Sequence, residues 1–337
     1  MLIQAIAIAA AAAMNCAAIA FAAESPGGRV LIVEHGGATR AFAPQPGPVA
    51  ELVRGGLSRF TGQANAKSAW LSLISTQDII GVKVFSAPGA SSGTRPAVVA
   101  AVIESLLEAG LPAGQIIVWD KRLVDLRLAG YSELARQYGV RLAGAVDEGF
   151  DGERFYSNPI LGRLVYGDLE FGRRGEGVGR NSHVTKLLTR EITKVVNITP
   201  LLNHNAAGVS GALYGLALGS VDNVLRFENP EQLATAVPEI YALPEVGDRV
   251  ILNIVDALIC QYRGEERTLL HYSAVLNQLW FSTDPVALDI LALAELNRHN
   301  KDRKLSRSGR LIYENAALLE LGVAEASRIK TEFLKLE

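Results

Sequence analysis

Ile79-Ile-Gly-Val-Lys-Val-Phe85 runs into Ser86-Ala-Pro-Gly-Ala-Ser-Ser-Gly-Thr-Arg95, then Pro96-Ala-Val-Val-Ala-Ala-Val-Ile-Glu-Ser-Leu-Leu-Glu108 and, past Gly110, Gln115-Ile-Ile-Val-Trp119. The two short apolar runs rich in β-branched residues read as buried strands. Between them Val98, Val99, Val102, Ile103, Leu106 and Leu107 recur at helical spacing, with Pro96 at the start and Gly110 at the stop. Strand, helix, strand at this spacing is a βαβ unit, whose two strands run parallel. The pattern continues with a helix over Leu123 to Tyr138 and a strand over Val140 to Ala145. After a Gly- and Arg-rich interruption at residues 150–182, with a hairpin expected over Arg163 to Phe171, it resumes. Strands are expected at Lys194 to Ile198, Val250 to Val255 and Leu279 to Ser282, with helices at Ala207 to Ala217 and Pro285 to His299. The expected fold is α/β: a mostly parallel, Rossmann-like sheet flanked by helices and carrying a Gly/Arg-rich insertion.

The flanks read differently. Residues 24–47 hold many Gly and Pro around one strand-like run, Arg29 to Val33, which suggests a loosely ordered lead-in before a helix opening at Pro48. The C-terminus reads as two helical segments, Gly309 to Leu321 and Ala324 to Leu336. Leu2 to Ala23 carries no charged side chain, and Ala20-Phe21-Ala22 offers the small-x-small pattern of a signal peptidase site. The chain is therefore expected to be exported, periplasmic or extracellular, with cleavage after Ala22. An uncleaved membrane anchor is the alternative, since about 20 apolar residues can span a bilayer. Lipidation at Cys16 fits less well, because Ala13-Met14-Asn15 is a poor lipobox. The resulting division is residues 1–22 as signal peptide, 23–74 as lead-in, 75–300 as the α/β domain and 301–337 as a helical tail.

Composition narrows the function. Of 337 residues, 49% are apolar and 20% charged, with 33 Lys and Arg against 35 Asp and Glu. A formal charge of −2 lacks the basic excess that neutralising many phosphates requires, so no nucleic-acid partner is expected. After cleavage no membrane insertion is expected either. One of the two cysteines falls in the export segment, and Cys260 follows an apolar run, so it reads as a buried, inert thiol. No disulfide, zinc cluster or iron-sulfur cluster is expected.

In an open parallel sheet, ligands bind beyond the carboxyl ends of the strands. Five expected strand ends carry polar groups: Ser86 to Arg95, Asp120 and Lys121, His204 and Asn205, Asp256, and Thr283 and Asp284. If all five strands run parallel, these groups share one rim. His204, in the turn Asn203-His204-Asn205, suits proton transfer or metal ligation, against the reading of a surface histidine. Asp256 ends an apolar strand and must find a donor or cation. Asp120 and Asp284 could instead cap the helices that follow. Ser92, Thr94 and Arg95 open a helix where backbone N–H groups favour an anion, with Arg95 as a bidentate clamp and Asn205 nearby; a plain strand-to-helix turn is the alternative. The candidate metal ligands are His204, Asp256 and Asp284. Gly175, Gly177 and Gly179, between Arg174 and Arg180, read as a flexible loop within a basic patch completed by His183, Lys186 and Arg190.

These residues also resemble a known family. Gly81-Val-Lys-Val, Thr94-Arg-Pro-Ala-Val-Val-Ala-Ala-Val-Ile, Thr199-Pro-Leu-Leu-Asn-His-Asn-Ala-Ala-Gly-Val-Ser-Gly-Ala-Leu, Gly219-Ser-Val-Asp-Asn, Ile254-Val-Asp-Ala-Leu and Ser282-Thr-Asp-Pro-Val-Ala-Leu-Asp are similar, in that order, to the domain-of-unknown-function 362 family from about residue 75 to 300. The resemblance adds Lys83 to His204 and Asp256 as expected catalytic residues. It also marks two departures, Leu202 and Tyr214, where family members tend to carry lysines. Thr94-Arg95-Pro96 with Ala109-Gly110-Leu111-Pro112 is more distantly similar to the N-terminal domain of nickel-pincer lactate racemases. The functional expectation is an enzyme of uncharacterised reaction acting on a small anionic substrate. The alternative is a non-catalytic binder that has lost the family lysines. The cofactor stays open.

Overall fold

The computed structural model describes residues 28–227, 229–300 and 307–337. The expected export segment lies outside the described residues. Eight strands form the main sheet: β1 (Arg29–His35), β2 (Ile80–Lys83), β3 (Ile116–Asp120), β4 (Arg141–Gly144), β5 (Lys194–His204), β6 (Val250–Gln261), β7 (Ser273–Ser282) and β8 (Lys330–Leu336). They lie in the order β8-β1-β7-β6-β5-β2-β3-β4, and a short ninth strand, Gly208–Val209, folds back on β5. β4, β3, β2, β5 and β6 are mutually parallel. The expected α/β architecture with a mostly parallel sheet is what forms.

β7 is the exception. It runs antiparallel to both β6 and β1, pairing Ser282 with Asn253 near the start of β6 and Leu279 with Asp256. Thr283 and Asp284 therefore emerge at the edge opposite the other strand ends, and the expected five-strand rim is a four-strand rim. An apolar run carries no mark of strand direction, and that is why the pattern missed the reversal.

Helices cover both faces. On one, α1 (Pro46–Thr61) and α2 (Pro96–Glu108) set Leu52, Val53, Val98, Val102 and Leu106 against Val82, Val196 and Ile254 of the sheet. Each such side chain, fully buried, contributes about 1.5–3 kcal/mol. On the other, α3 (Ala212–Gly219), α4 (Pro230–Tyr241), α5 (Pro285–His299) and α6 (Arg307–Leu318) pack over Trp119, Val195, Val255 and Trp280. Pro sits at the first turn of α1, α2, α4 and α5, where its missing N–H costs nothing. The single helix expected over Leu123 to Tyr138 is two, Leu123–Leu128 and Tyr131–Tyr138, separated by Gly130 at φ 88°.

Both flanks belong to the sheet. β1 is an interior strand, paired with β7 and β8, so the lead-in is ordered over its described residues, from Gly28 onward. The last seven residues of the expected C-terminal helix are β8, parallel to β1. Its alternation of Glu332, Leu334 and Leu336, partly buried, with exposed Thr331, Phe333 and Lys335 has the period of a half-covered edge strand. The insertion forms a long hairpin, Phe150–Arg163 with Val178–Thr185, closed by the short helix Leu169–Arg174 where a return strand was expected.

Candidate functional site

The strand order places a topological switch between β2 and β5: from β2 the chain winds outward through β3 and β4, then returns to β5 on the other side. Crevices form at such points beyond the carboxyl ends of the strands. A cleft of about 270 Å³ occupies this position, walled by Phe85 after β2, Arg122 and Asp125 after β3, Tyr214 and Gly219 of α3, and Glu266 from the β6–β7 turn.

Lys83, the last residue of β2, is 1% exposed. Its ammonium donates to Asp120 Oδ1 at 2.8 Å and to the Val84 carbonyl at 2.5 Å, 5.5 Å from the Trp119 ring centre. Asp120 Oδ2 accepts from the Ser86 amide and hydroxyl at 2.7 and 2.6 Å, so it ties β2 to β3 and caps no helix. Gly219 fits over Lys83 because a Cβ there would lie 2.6 Å from Lys83 Cε.

The expected anion site at the start of α2 is filled from within. Asp256 Oδ2 accepts the Arg95 amide and Oδ1 accepts Arg95 NH1, both at 2.9 Å, while Arg95 NH2 donates to the Ser91 and Ile259 carbonyls at 3.0 Å. Arg95 and Asp256 are 3% and 0% exposed. The helix N-terminus has thus attracted an anion as the dipole predicts, but the anion is this chain's own carboxylate. Ser92 donates to Gln261 Oε1, and Thr94 links the Phe85 amide to the Ile198 carbonyl. The side chains of Ser92, Thr94 and Arg95 thus all tie parts of the chain to one another.

His204 ends β5. Its Nδ1 accepts the Ala207 amide at 3.0 Å and its ring lies 4.2 Å from that of Tyr214. Burial lowers its pKa below the ordinary histidine value, against a smaller upward pull from Glu265. With Nδ1 accepting, the neutral ring carries its proton on Nε2 and is a hydrogen-bond donor there. That tautomer has no free lone pair for a metal. The Asn205 amide donates to Glu265 Oε1 at 2.6 Å, docking the turn onto the β6–β7 loop. Asp284 caps α5 through the Ala287 amide and also accepts from Val323, at the far edge of the sheet. The three expected metal ligands are therefore not brought together. Among the described residues no group of three or more His, Cys, Asp or Glu side chains is arranged to hold a metal. Cys260 is buried, and burial pushes its thiol up to about 11.

The cleft's own ionisable groups were only partly visible in sequence. Burial raises the carboxyl pKa of Glu266 and of Asp125, and each is raised further by Asp120. Arg122 makes no ion pair among the described residues. Arg122 and Asp125 follow a strand end within one turn, a signal that could have been used. Glu266 arrives from 146 residues beyond Asp120 and left no local signal. Of the two positions where the family resemblance leads lysine to be expected, Leu202 is buried and Tyr214 faces the cleft.

The fold and cleft define an α/β protein with a switch-point crevice at the carboxyl edge of its parallel strands. The chain belongs to the family described as "Domain of unknown function (DUF362)", which matches residues 80–294. Comparison with curated proteins returns no match. Among solved structures, a structural-genomics target from Thermotoga maritima aligns over 85% of this chain with 14% identity and a TM-score of 0.34. This chain spans 60% of that protein.

Proposed function

We propose that this protein is an enzyme that binds a small anionic substrate in the switch-point cleft and moves a proton on it. One observation carries the reading: at the carboxyl edge, where α/β sheets bind ligands, Glu266 and Asp125 share a cleft that shifts both toward their protonated forms. Arg122 would meet the substrate's anionic group. Glu266 would serve as the acid, and the neutral His204, its ring against Tyr214, would support that wall of the cleft. With residues 1–22 read as an export signal, the proposed setting is the periplasm or the extracellular medium.

Titration calorimetry with small carboxylates and inorganic phosphate tests this. The proposal expects at least one to bind, with Arg122→Ala weakening it about tenfold or more, the worth of a charge-assisted hydrogen bond. A ligand held equally by wild type, Arg122→Ala and Glu266→Gln, or no binding across the set, overturns it. A second reading, binding without turnover, is favoured by Lys83, which is spent on Asp120 and Val84. A bound ligand recovered chemically unchanged after prolonged incubation would support that reading instead.

A further inference from the structure

Helix α3 walls the cleft with Tyr214, Gly215, Leu218 and Gly219. Its sequence, Ala-Leu-Tyr-Gly-Leu-Ala-Leu-Gly, holds no charged residue, and six of the eight residues are buried. A helix apolar on every side has no polar stripe to define its rotation. Polar groups define both ends instead. Asp289, on α5 and 1% exposed, accepts the Ala212 amide on Oδ1 at 2.7 Å and the Leu213 amide on Oδ2 at 3.0 Å. At the other end Lys121, following β3, donates from Nζ to the Leu218 carbonyl at 3.1 Å and to the Val221 carbonyl. Each charge has the sign that the helix dipole attracts. Gly211 is required at the junction, since a Cβ there would overlap the Asp289 carboxylate.

We infer that Asp289 and Lys121 are positioning residues that set the axial register of α3 and so hold Tyr214 against His204. Buried polar groups that fix register at some cost in stability are a known device. The cost is visible here. Burial pushes Asp289 up to about 7, with Asp284 adding to the rise; the Tyr241 and Tyr313 hydroxyls are the other titratable groups close to it. Burial pushes Lys121 down to about 8, aided by Arg122 and Lys83 and opposed by Asp222 and Asp168. The Phe150 ring lies 5.6 Å from its ammonium.

The inference rests on the proposed site only in what is being positioned, and its test needs no ligand; absence of binding would overturn the proposed function and leave this result standing. The His204 ring is titrated by NMR in the whole protein. Asp289→Asn and Lys121→Met are expected to let Tyr214 slip and to return His204 to the ordinary value near 6.5, whereas Lys121→Arg keeps it low. Both charge-removing variants titrating like wild type would overturn the inference. Wild-type hydrogen exchange supplies a test that survives misfolding of any variant. Closing α3 binds a proton at Asp289 and releases one at Lys121, so protection of the 212–219 amides should be lowest between pH 7 and 8. On either side it should rise by up to about tenfold per pH unit. A profile flat from pH 5 to pH 10 also overturns it.

Discussion

A guanidinium buried beside α2 needs an acceptor for its charge, and Arg95 takes its partner from 161 residues along the chain. Nothing near residue 95 in the sequence announces that partner, so its donors looked free for a ligand. The same distance hid the partner of Asp256, although its need for one was legible from the apolar strand it ends. Removing either member alone leaves an uncompensated buried charge. Arg95→Met or Asp256→Leu should each cost about 3–5 kcal/mol in urea unfolding, and the double substitution should recover much of that loss. Single variants with wild-type midpoints would show that the pair is not the tie described. His204 was legible as a residue of interest, but its tautomer was not, because the Ala207 amide that fixes it is a matter of turn geometry.

Elements announced by local chemistry were read well, and those set by tertiary pairing were not. The starts of α2 and α5 follow from Pro96 and Pro285. The direction of β7 and the strand character of β8 depend on neighbours, and an apolar pattern does not record them. The Gly219-Ser-Val-Asp222-Asn223 motif shows how family residues can serve the scaffold. Asp222 accepts the His183 and Leu169 amides, and Asp168 accepts the Asn223 amide, so the motif bolts the hairpin insertion to the end of α3. Asp222→Ala should free that insertion before the sheet melts. Limited trypsin digestion is expected to cut between Arg163 and Arg180 about tenfold faster than in wild type, with global stability lower by about 1–3 kcal/mol. Unchanged cleavage rates would place the anchoring elsewhere.

Across the whole molecule the shifted carboxyls set a pH profile. Asp125, Glu266, Asp284 and Asp289 all have folded pKa values raised by burial, the last to about 7. Each binds more protons folded than unfolded, so its contribution is full below its unfolded pKa and is lost as pH rises through the folded value. Asp78, Asp151 and Glu332 are lowered, and their contribution is lost only as pH falls through their folded values. His204, lowered by burial, acts the other way over the same range, but the larger Asp289 shift dominates, so thermal melts should show greatest stability on the acid side of neutrality, near pH 5, with a decline toward pH 7; a midpoint that climbs from pH 5 to pH 7 would contradict the assignment. The position of β1 has a different consequence, one of order in time. It pairs on one side with β7 and on the other with β8, and Arg29 meets Glu332 across 303 residues of chain. During synthesis the first described strand must wait through most of the described chain for β7, and longer still for β8, before both its edges are paired. A chain lacking β8 would hold an open, apolar-flanked edge at β1, so the sheet around the first described strand closes only once β8 has emerged.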